Sequence, residues 1–467
     1  MRPRSWTRCA LSAFLAAGLA SSAPAAPATP ADSSDSAGSD LVASTAPPWV
    51  PPSAVPASEP WETVLRFPGR VLSLPFVVLG NAAEGSVRYI EDENVAYKGL
   101  AVIALQREHG FAIVPASLGD RTGTGLEARW APPGLGRRLL GEISASTRQY
   151  NRERVALFFG PLRAVYLSEW RSRDPFFGAG MQTLHEDASA YAVRGQAARV
   201  ILSLPSAGDR RGSMKVLEGR VLNPAADRDD PKQATFSAWA GPRYLRMTDG
   251  RDTRFRSIET VHPEAQAQLN LNIEHFVYGV RLMREARYGR PHWTNGWRAS
   301  VEAERYDKAI EALALKDAHT DAQPFTRLTY HLQAGASFGR DPRTIRVFLT
   351  AVDQVLDDGD GTFLIPDLRS LGGGNGLFGF EAGRFRDLDA MLGRLSYIYP
   401  IGKNLEMDLH VEEGAVMANL ADASGVRFRP SIGASLRVRA DFVMLGMIAI
   451  EASSEQTRFR FSIGGVE

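Results

Sequence analysis

The stretch Asn404–Glu412 reads NLEMDLHVE and alternates strictly between apolar and polar side chains. Leu405, Met407, Leu409 and Val411 fall on one side; Glu406, Asp408, His410 and Glu412 fall on the other. Successive side chains of a strand point to opposite faces, so this segment has one oily face and one charged face. The pattern returns along the chain. Trp297, Ala299, Val301 and Ala303 oppose Arg298, Ser300, Glu302 and Glu304. Leu328, Tyr330, Leu332 and Ala334 oppose Arg327, Thr329, His331 and Gln333. Ile432, Ala434, Leu436 and Val438 oppose Ser431, Ser435, Arg437 and Arg439, while Phe459, Phe461 and Ile463 oppose Arg458, Arg460 and Ser462. A soluble sandwich also alternates, with its polar face in water. The outward aromatics Trp297, Tyr330, Tyr397, Tyr399 and Phe461 favour a membrane boundary instead, where Tyr and Trp concentrate. The reading is an all-β protein: a transmembrane antiparallel β-barrel with a polar lumen.

Composition fits. Hydrophobic residues make up 44% of 467, an ordinary value. A helical membrane protein needs about 20 apolar residues in a row for each span, and no such run follows the N-terminus. A barrel needs apolar residues only at alternate positions. The net charge of +1 exerts no global pull toward nucleic acid.

The first residues read as a secretory signal peptide, residues 1–25. Arg2, Arg4 and Arg8 precede the short apolar run Cys9–Ala20, and Ala23-Pro24-Ala25 offers a cleavage site. Its removal takes away the single cysteine, and with it any disulfide, thiol nucleophile or thiolate metal site. Residues 26–60, rich in Pro, Ala and Ser, read as a disordered linker. Residues 61–97 begin amphipathic but are broken by Pro68 and Pro75, giving a short helical or irregular periplasmic segment. The barrel is expected over 98–467.

Candidate strands are Phe111–Ser117, Gly125–Trp130, Leu139–Tyr150, Arg154–Phe159, Ala164–Ser172, Ser189–Leu204, Gly212–Val221, His275–Ala286, Trp297–Tyr306 and Thr326–Phe338. They continue with Thr344–Val355, Met391–Tyr399, Leu405–Met417, Ser431–Asp441, Val443–Ser453 and Thr457–Ile463. Roughly 370 residues, at about ten per strand plus loops, give on the order of 16 strands. Val443–Ile450 alternates poorly and leaves its facing open. Asp209–His262 is polar, with DRDDPK at Asp227–Lys232, and reads as one or more long extracellular loops.

A resemblance sharpens this. Ile365–Ile401 reads IPDLRSLGGGNGLFGFEAGRFRDLDAMLGRLSYIYPI. It resembles the C-terminal part of the BamA/TamA-like outer-membrane barrels, the bacterial surface antigen family. Leu371-Gly372-Gly373 matches that family's Leu-Gly-Gly run, and Gly383-Arg384-Phe385-Arg386-Asp387 its Arg-Phe-(Arg)-Asp run. Asp174-Pro175-Phe176-Phe177-Gly178-Ala179-Gly180 is similar to its Phe-Tyr/Phe-Gly-x-Gly segment. The resemblance implies a long loop folded into the lumen, whose Val-Arg-Gly-Phe-type tetrad carries an arginine that meets a Phe-x-Asp pair on a nearby strand. Here the tetrad is Leu377-Phe378-Gly379-Phe380, and the strand motif has His410 and Glu412 in place of Phe and Asp. With the tip cation gone, Arg384 or Arg386 is expected to supply the charge for Glu412, Asp408 or Glu406, with Asp387 beside them. Only the linker and the 61–97 segment precede the barrel, so the chain reads as a member without POTRA domains.

Asp357-Asp358-Gly359-Asp360-Gly361 looks like the start of a calcium loop, but the ligand series stops at Thr362 and a solvated turn fits better. His331 and His410 fall on lumenal faces, where a hydrogen-bonded histidine is expected more than a proton switch. No metal, cofactor or enzyme motif emerges. The resemblance implies a protein of the Gram-negative outer membrane that aids insertion or translocation of outer-membrane or secreted polypeptides, with outer-membrane lipids around it and no nucleic-acid partner. The alternative is a non-catalytic pore or surface scaffold.

Overall fold

The computed structural model describes residues 111–117, 124–132, 138–204, 232–250, 255–288, 295–308, 323–338, 343–357, 364–401, 405–440 and 443–465. The expected signal peptide, linker and 61–97 segment lie outside these residues, as does the candidate strand Gly212–Val221.

One large antiparallel sheet of 16 strands dominates. The first eight are β1 (Phe111–Ser117), β2 (Thr124–Trp130), β3 (Leu139–Ser146), β4 (Asn151–Phe159), β5 (Leu162–Phe176), β6 (Ser189–Leu204), β7 (Lys232–Asp249) and β8 (Asn272–Tyr288). There follow β9 (Asn295–Lys308), β10 (Phe325–Phe338), β11 (Arg343–Leu356), β12 (Asp389–Pro400), β13 (Leu405–Met417), β14 (Arg429–Ala440), β15 (Val443–Ser453) and β16 (Thr457–Gly465). Each pairs antiparallel with the next. β16 lies beside β1, so the sheet meets itself as a barrel; among the described residues of these sixteen strands this contact is the sparsest between neighbours. A two-residue strand, Arg256–Ser257, adds parallel to the start of β6.

Alternation decides which side chains face out. Val411, Ile432, Ile448, Phe459 and Phe461 are exposed on the outside, Phe459 to 79%. Their neighbours Glu412, Ser431, Ala449 and Glu451 are buried on the inside. The facing of β15, open in the sequence, is thereby settled. Exposed apolar side chains recur from β1 to β16. Monomeric soluble proteins rarely expose contiguous apolar patches of more than a few hundred Å². Hydrocarbon suits such a surface, and a barrel pairs its backbone polar groups between strands rather than leaving edges to lipid. No helix among the described residues is long and apolar enough to cross a membrane. Full-length protein stripped of detergent is therefore expected to aggregate; a dissolved monomer in size-exclusion chromatography would refute the lipid-facing assignment. One aromatic departs from the expected boundary role: Tyr399 is buried, and its hydroxyl donates to Met407 Sδ at 2.8 Å.

Two expectations are corrected. The candidate Leu139–Tyr150 stops at Ser146, because Ser146 Oγ accepts the Tyr150 N–H at 3.1 Å and Gln149 takes φ 59°, turning the chain. Asp209–His262 is not loop throughout, since β7 runs through it. β7 escapes a periodicity reading because its inward positions include Trp239, Leu245 and Met247, all buried, while small Ala238 and Ala240 alternate with them. Pro242 also interrupts the run, and the β6–β7 ladder skips there, from Ala197↔Arg243 to Val200↔Ala240. The helices Ile258–Val261 and Pro263–Gln268 lie in the chain between β7 and β8.

Candidate functional site

The connection between β11 and β12 does not stay outside. From Ile365 it enters the barrel, forms a hairpin of Arg369–Leu371 against Phe385–Asp387, and turns at Leu377–Phe380. Apolar burial seats it: Leu371, Leu377, Phe380 and Phe385 pack with Ala415, Val416 and Met417 of β13 and with Met181 of the β5–β6 connection. Each large side chain buried this way contributes about 1.5–3 kcal/mol.

The tip is held by backbone bonds to successive strands. The Phe378 N–H donates to Glu412 Oε2 on β13 at 2.6 Å. The Gly379 N–H donates to Ser431 Oγ on β14 at 2.9 Å, and Ser453 Oγ on β15 donates to the Gly379 carbonyl at 2.9 Å. Arg458 on β16 donates to the Phe378 and Phe380 carbonyls at 3.3 and 2.5 Å. Glycine is required at position 379, because a Cβ there would stand 2.6 Å from the Ala452 backbone.

The Phe378 ring carries the most distinctive geometry. It lies between two guanidiniums, Arg394 at 4.2 Å and Arg460 at 3.8 Å, with His410 edge-on at 5.9 Å. Cations over a ring face are attracted by its quadrupole, by about 0.5–1 kcal/mol when exposed and about 2 or more when desolvated. Each guanidinium is also paired. Arg394 donates to Glu412 Oε1 at 2.7 Å, and Arg460 to Glu451 Oε1 at 3.2 Å. The network runs on from Glu451 to His410 Nε2 at 2.7 Å, then to Asp408 (His410 Nδ1 3.7 Å from Oδ1), and from Asp408 to Arg437. Where the resembled family has a cation at the tip, this chain has an aromatic ring and places the cations on the wall.

The expected pairing of Arg384 or Arg386 with Glu412, Asp408 or Glu406 is replaced by other contacts. Arg384 turns to the barrel end, donating to Glu455 at 2.9 Å through both Nε and Nη2 and to Thr183 Oγ1 at 2.5 Å, with Phe177 and Phe385 under its guanidinium. Arg386 is buried over the Tyr191 ring, and its backbone carbonyl accepts the Gly180 N–H at 2.6 Å. The two motif segments 174–180 and 383–387 are thus brought together. Asp387 accepts the Leu388 N–H at 2.9 Å, and burial pushes its carboxyl up. Asp408, His410 and Glu412 line the wall, as their spacing implied, but the cation beside Glu412 is Arg394 and the one beside Asp408 is Arg437, while His410 shares Glu451 with Arg460.

The loop's base has its own anchor. Asp367 is buried and pairs with Arg243 of β7 at 2.7 Å, while its carbonyl accepts from Arg327 of β10 at 3.2 Å. Burial pushes the Asp367 carboxyl up, but Arg243, with His275 and Arg327 behind it, holds it below the usual carboxylate range. Sequence reasoning passed over Arg243 because β7 itself was missed. It passed over the Arg394–Glu412 pair because that pair depends on the β12–β13 register, which places the two directly opposite. Arg460 was legible only as a polar-face residue. Among the described residues no cluster of His, Cys, Asp and Glu is placed to hold a metal ion.

No protein-family model matches the sequence, and no curated protein matches it. Solved structures do match in fold. BamA from Haemophilus ducreyi lacking POTRA domains 1–3 superposes with TM-score 0.51 at 12% identity, covering 76% of this chain and 70% of that one. CdiB from Escherichia coli gives TM-score 0.46 at 11% identity, over 76% of this chain and 62% of that one. At such identities the likeness to the BamA structure concerns the fold: this chain has a BamA-like barrel.

Proposed function

We propose that this chain is an outer-membrane β-barrel of the BamA/TamA-like surface antigen type that aids insertion or translocation of outer-membrane or secreted polypeptides. One observation carries the reading: the β11–β12 loop is folded into a BamA-like barrel and bonded at its tip to β13–β16. A plugged lumen is a poor conduit, which moves the working surface to the wall. The thinly joined neighbours β1 and β16 form that surface. A sheet edge exposed there offers unpaired backbone groups to an incoming strand. Export through a cleaved signal peptide would bring the protein to the outer membrane, among its lipids, and no cofactor enters the mechanism.

A pore or scaffold barrel is the second reading, and the aromatic tip favours it, since Phe378 stands where the resembled insertases carry arginine. Depletion of the protein, followed by measuring the heat-modifiable forms of other outer-membrane barrels, separates the two. Accumulation of unfolded barrels is the expected result. Normal assembly with the protein found in the outer-membrane fraction would leave the scaffold reading standing and reject the first.

A further inference from the structure

Beside the loop hairpin the lumen contains a cavity of about 630 Å³. Its wall carries Arg171, Arg346, Arg369, Arg386, Arg394 and Arg437, against one carboxylate, Asp408. That volume lies within the usual range for small-molecule sites, about 300–1,000 Å³. Three of these arginines are already used: Arg171 by Asp174 at 2.9 Å, Arg394 by Glu412, and Arg437 by Asp408 and Glu406. Arg369 and Arg386 form no ion pair among the described residues.

Arg386 is the decisive side chain. It is 2% exposed, its Nη2 reaches only the Pro175 carbonyl at 3.5 Å, and its Nε has no hydrogen-bond partner. A buried cation without a counter-charge is costly, and an anion that fills the gap removes that cost. Arg369 lines the same cavity from the other strand of the hairpin; it precedes Ser370, the residue opposite Arg386, so its side chain leaves the hairpin on the other face. Its Nε is likewise unpartnered, and burial together with Arg327 pulls its pKa down to about 10.

We propose that this cavity is an anion site for a phosphate-type oxyanion, with Arg386 as its ligand and Arg171 and Arg369 as cations in its wall. Guanidinium forks suit phosphate oxygens, which accept bidentate charge-assisted hydrogen bonds. The oxyanion could come from a free solute or from a lipid headgroup, and the chemistry of recognition is the same. The site does not depend on the insertase reading.

The test uses the full chain folded in a neutral detergent, titrated by calorimetry with inorganic phosphate at constant ionic strength, chloride being the control. In a parallel arm the protein is reconstituted into phosphatidylcholine vesicles with or without phosphatidylglycerol, and the thermal midpoint is read. Saturable phosphate binding that weakens about tenfold in Arg386→Gln, the loss expected for a bond to a charged group, supports the site. Arg369→Gln, which gives up no ion pair, should weaken binding in the same direction and keeps the test valid if the Arg386 variant fails to fold. A shift in midpoint with phosphatidylglycerol alone, lost in Arg369→Gln, assigns the site to a headgroup. No response in either arm, or equal binding by the wild type and both variants, overturns the proposal.

Discussion

Replacing Phe378 with arginine is expected to drive the loop tip off the barrel wall. The substitution restores the residue type that the resembled family carries at this position, so likeness alone would forecast tolerance. The geometry forecasts the opposite. The ring now lies 4.2 Å from the Arg394 guanidinium and 3.8 Å from that of Arg460. A third guanidinium at such range meets about 4 kcal/mol of repulsion per pair at the effective dielectric of a protein surface. Glu412 and Glu451 offset part of this, but both carboxylates are already engaged by the wall arginines. Release would leave Arg384 and Arg386 open to trypsin, so limited proteolysis should nick the F378R barrel within 383–387 while its folded gel mobility persists. Phe378→Leu loses only the ring–cation attraction and should remain protected. An F378R protein as resistant as the wild type would show that the two wall cations do not decide what occupies the tip.

Removing the Glu412 carboxylate should give the largest loss of stability of any single wall substitution. Glu412 is fully buried, at 0% exposure, and serves two elements at once. One oxygen accepts the Phe378 N–H and the other accepts Arg394. Glu412→Ala strands both donors. Breaking one partner of a buried pair costs about 3–5 kcal/mol, because the remaining charge is left uncompensated. Glu412→Gln keeps an acceptor for the loop N–H and should cost less. The measurement is the temperature at which the heat-modifiable band converts to its unfolded mobility, and the expected order is wild type above Gln above Ala. Adding Arg394→Ala to Glu412→Ala should recover part of the loss, since the stranded cation is then gone. An alanine variant melting with the wild type would mean that water replaces the carboxylate at no cost.

Most strands were legible because lipid outside and water-facing charge inside impose a period of two on the chain. Phe111–Ser117, Ser189–Leu204, Leu405–Met417 and Val443–Ser453 carry the limits expected of them. β7 broke the rule where the capped end of the lumen is apolar: Leu245 and Met247 pack under Ile258 and Ile365, so its inward face is oily there. The site was half legible. Alternation places Asp408, His410 and Glu412 on the wall, and motif resemblance picks out the loop. Partner choice was not legible, because it rests on the register between strands and on the depth to which the loop inserts. Both are tertiary quantities, which is why Arg384 and Arg386 were matched with carboxylates they do not reach.

The tip's bonds also fix an order of events in making the molecule. Residues 378–380 close onto partners in β13, β14, β15 and β16, strands that follow the loop in the chain. Arg384, a few residues on, clasps Thr183, 201 positions earlier, together with Glu455, 71 positions later. Contacts so distant along the chain pay their loop-closure entropy before they return any stabilisation. The plug therefore cannot seat on a partly made barrel; it locks only once the β15–β16 hairpin is in place, so its seating reports that the wall it leans on is whole.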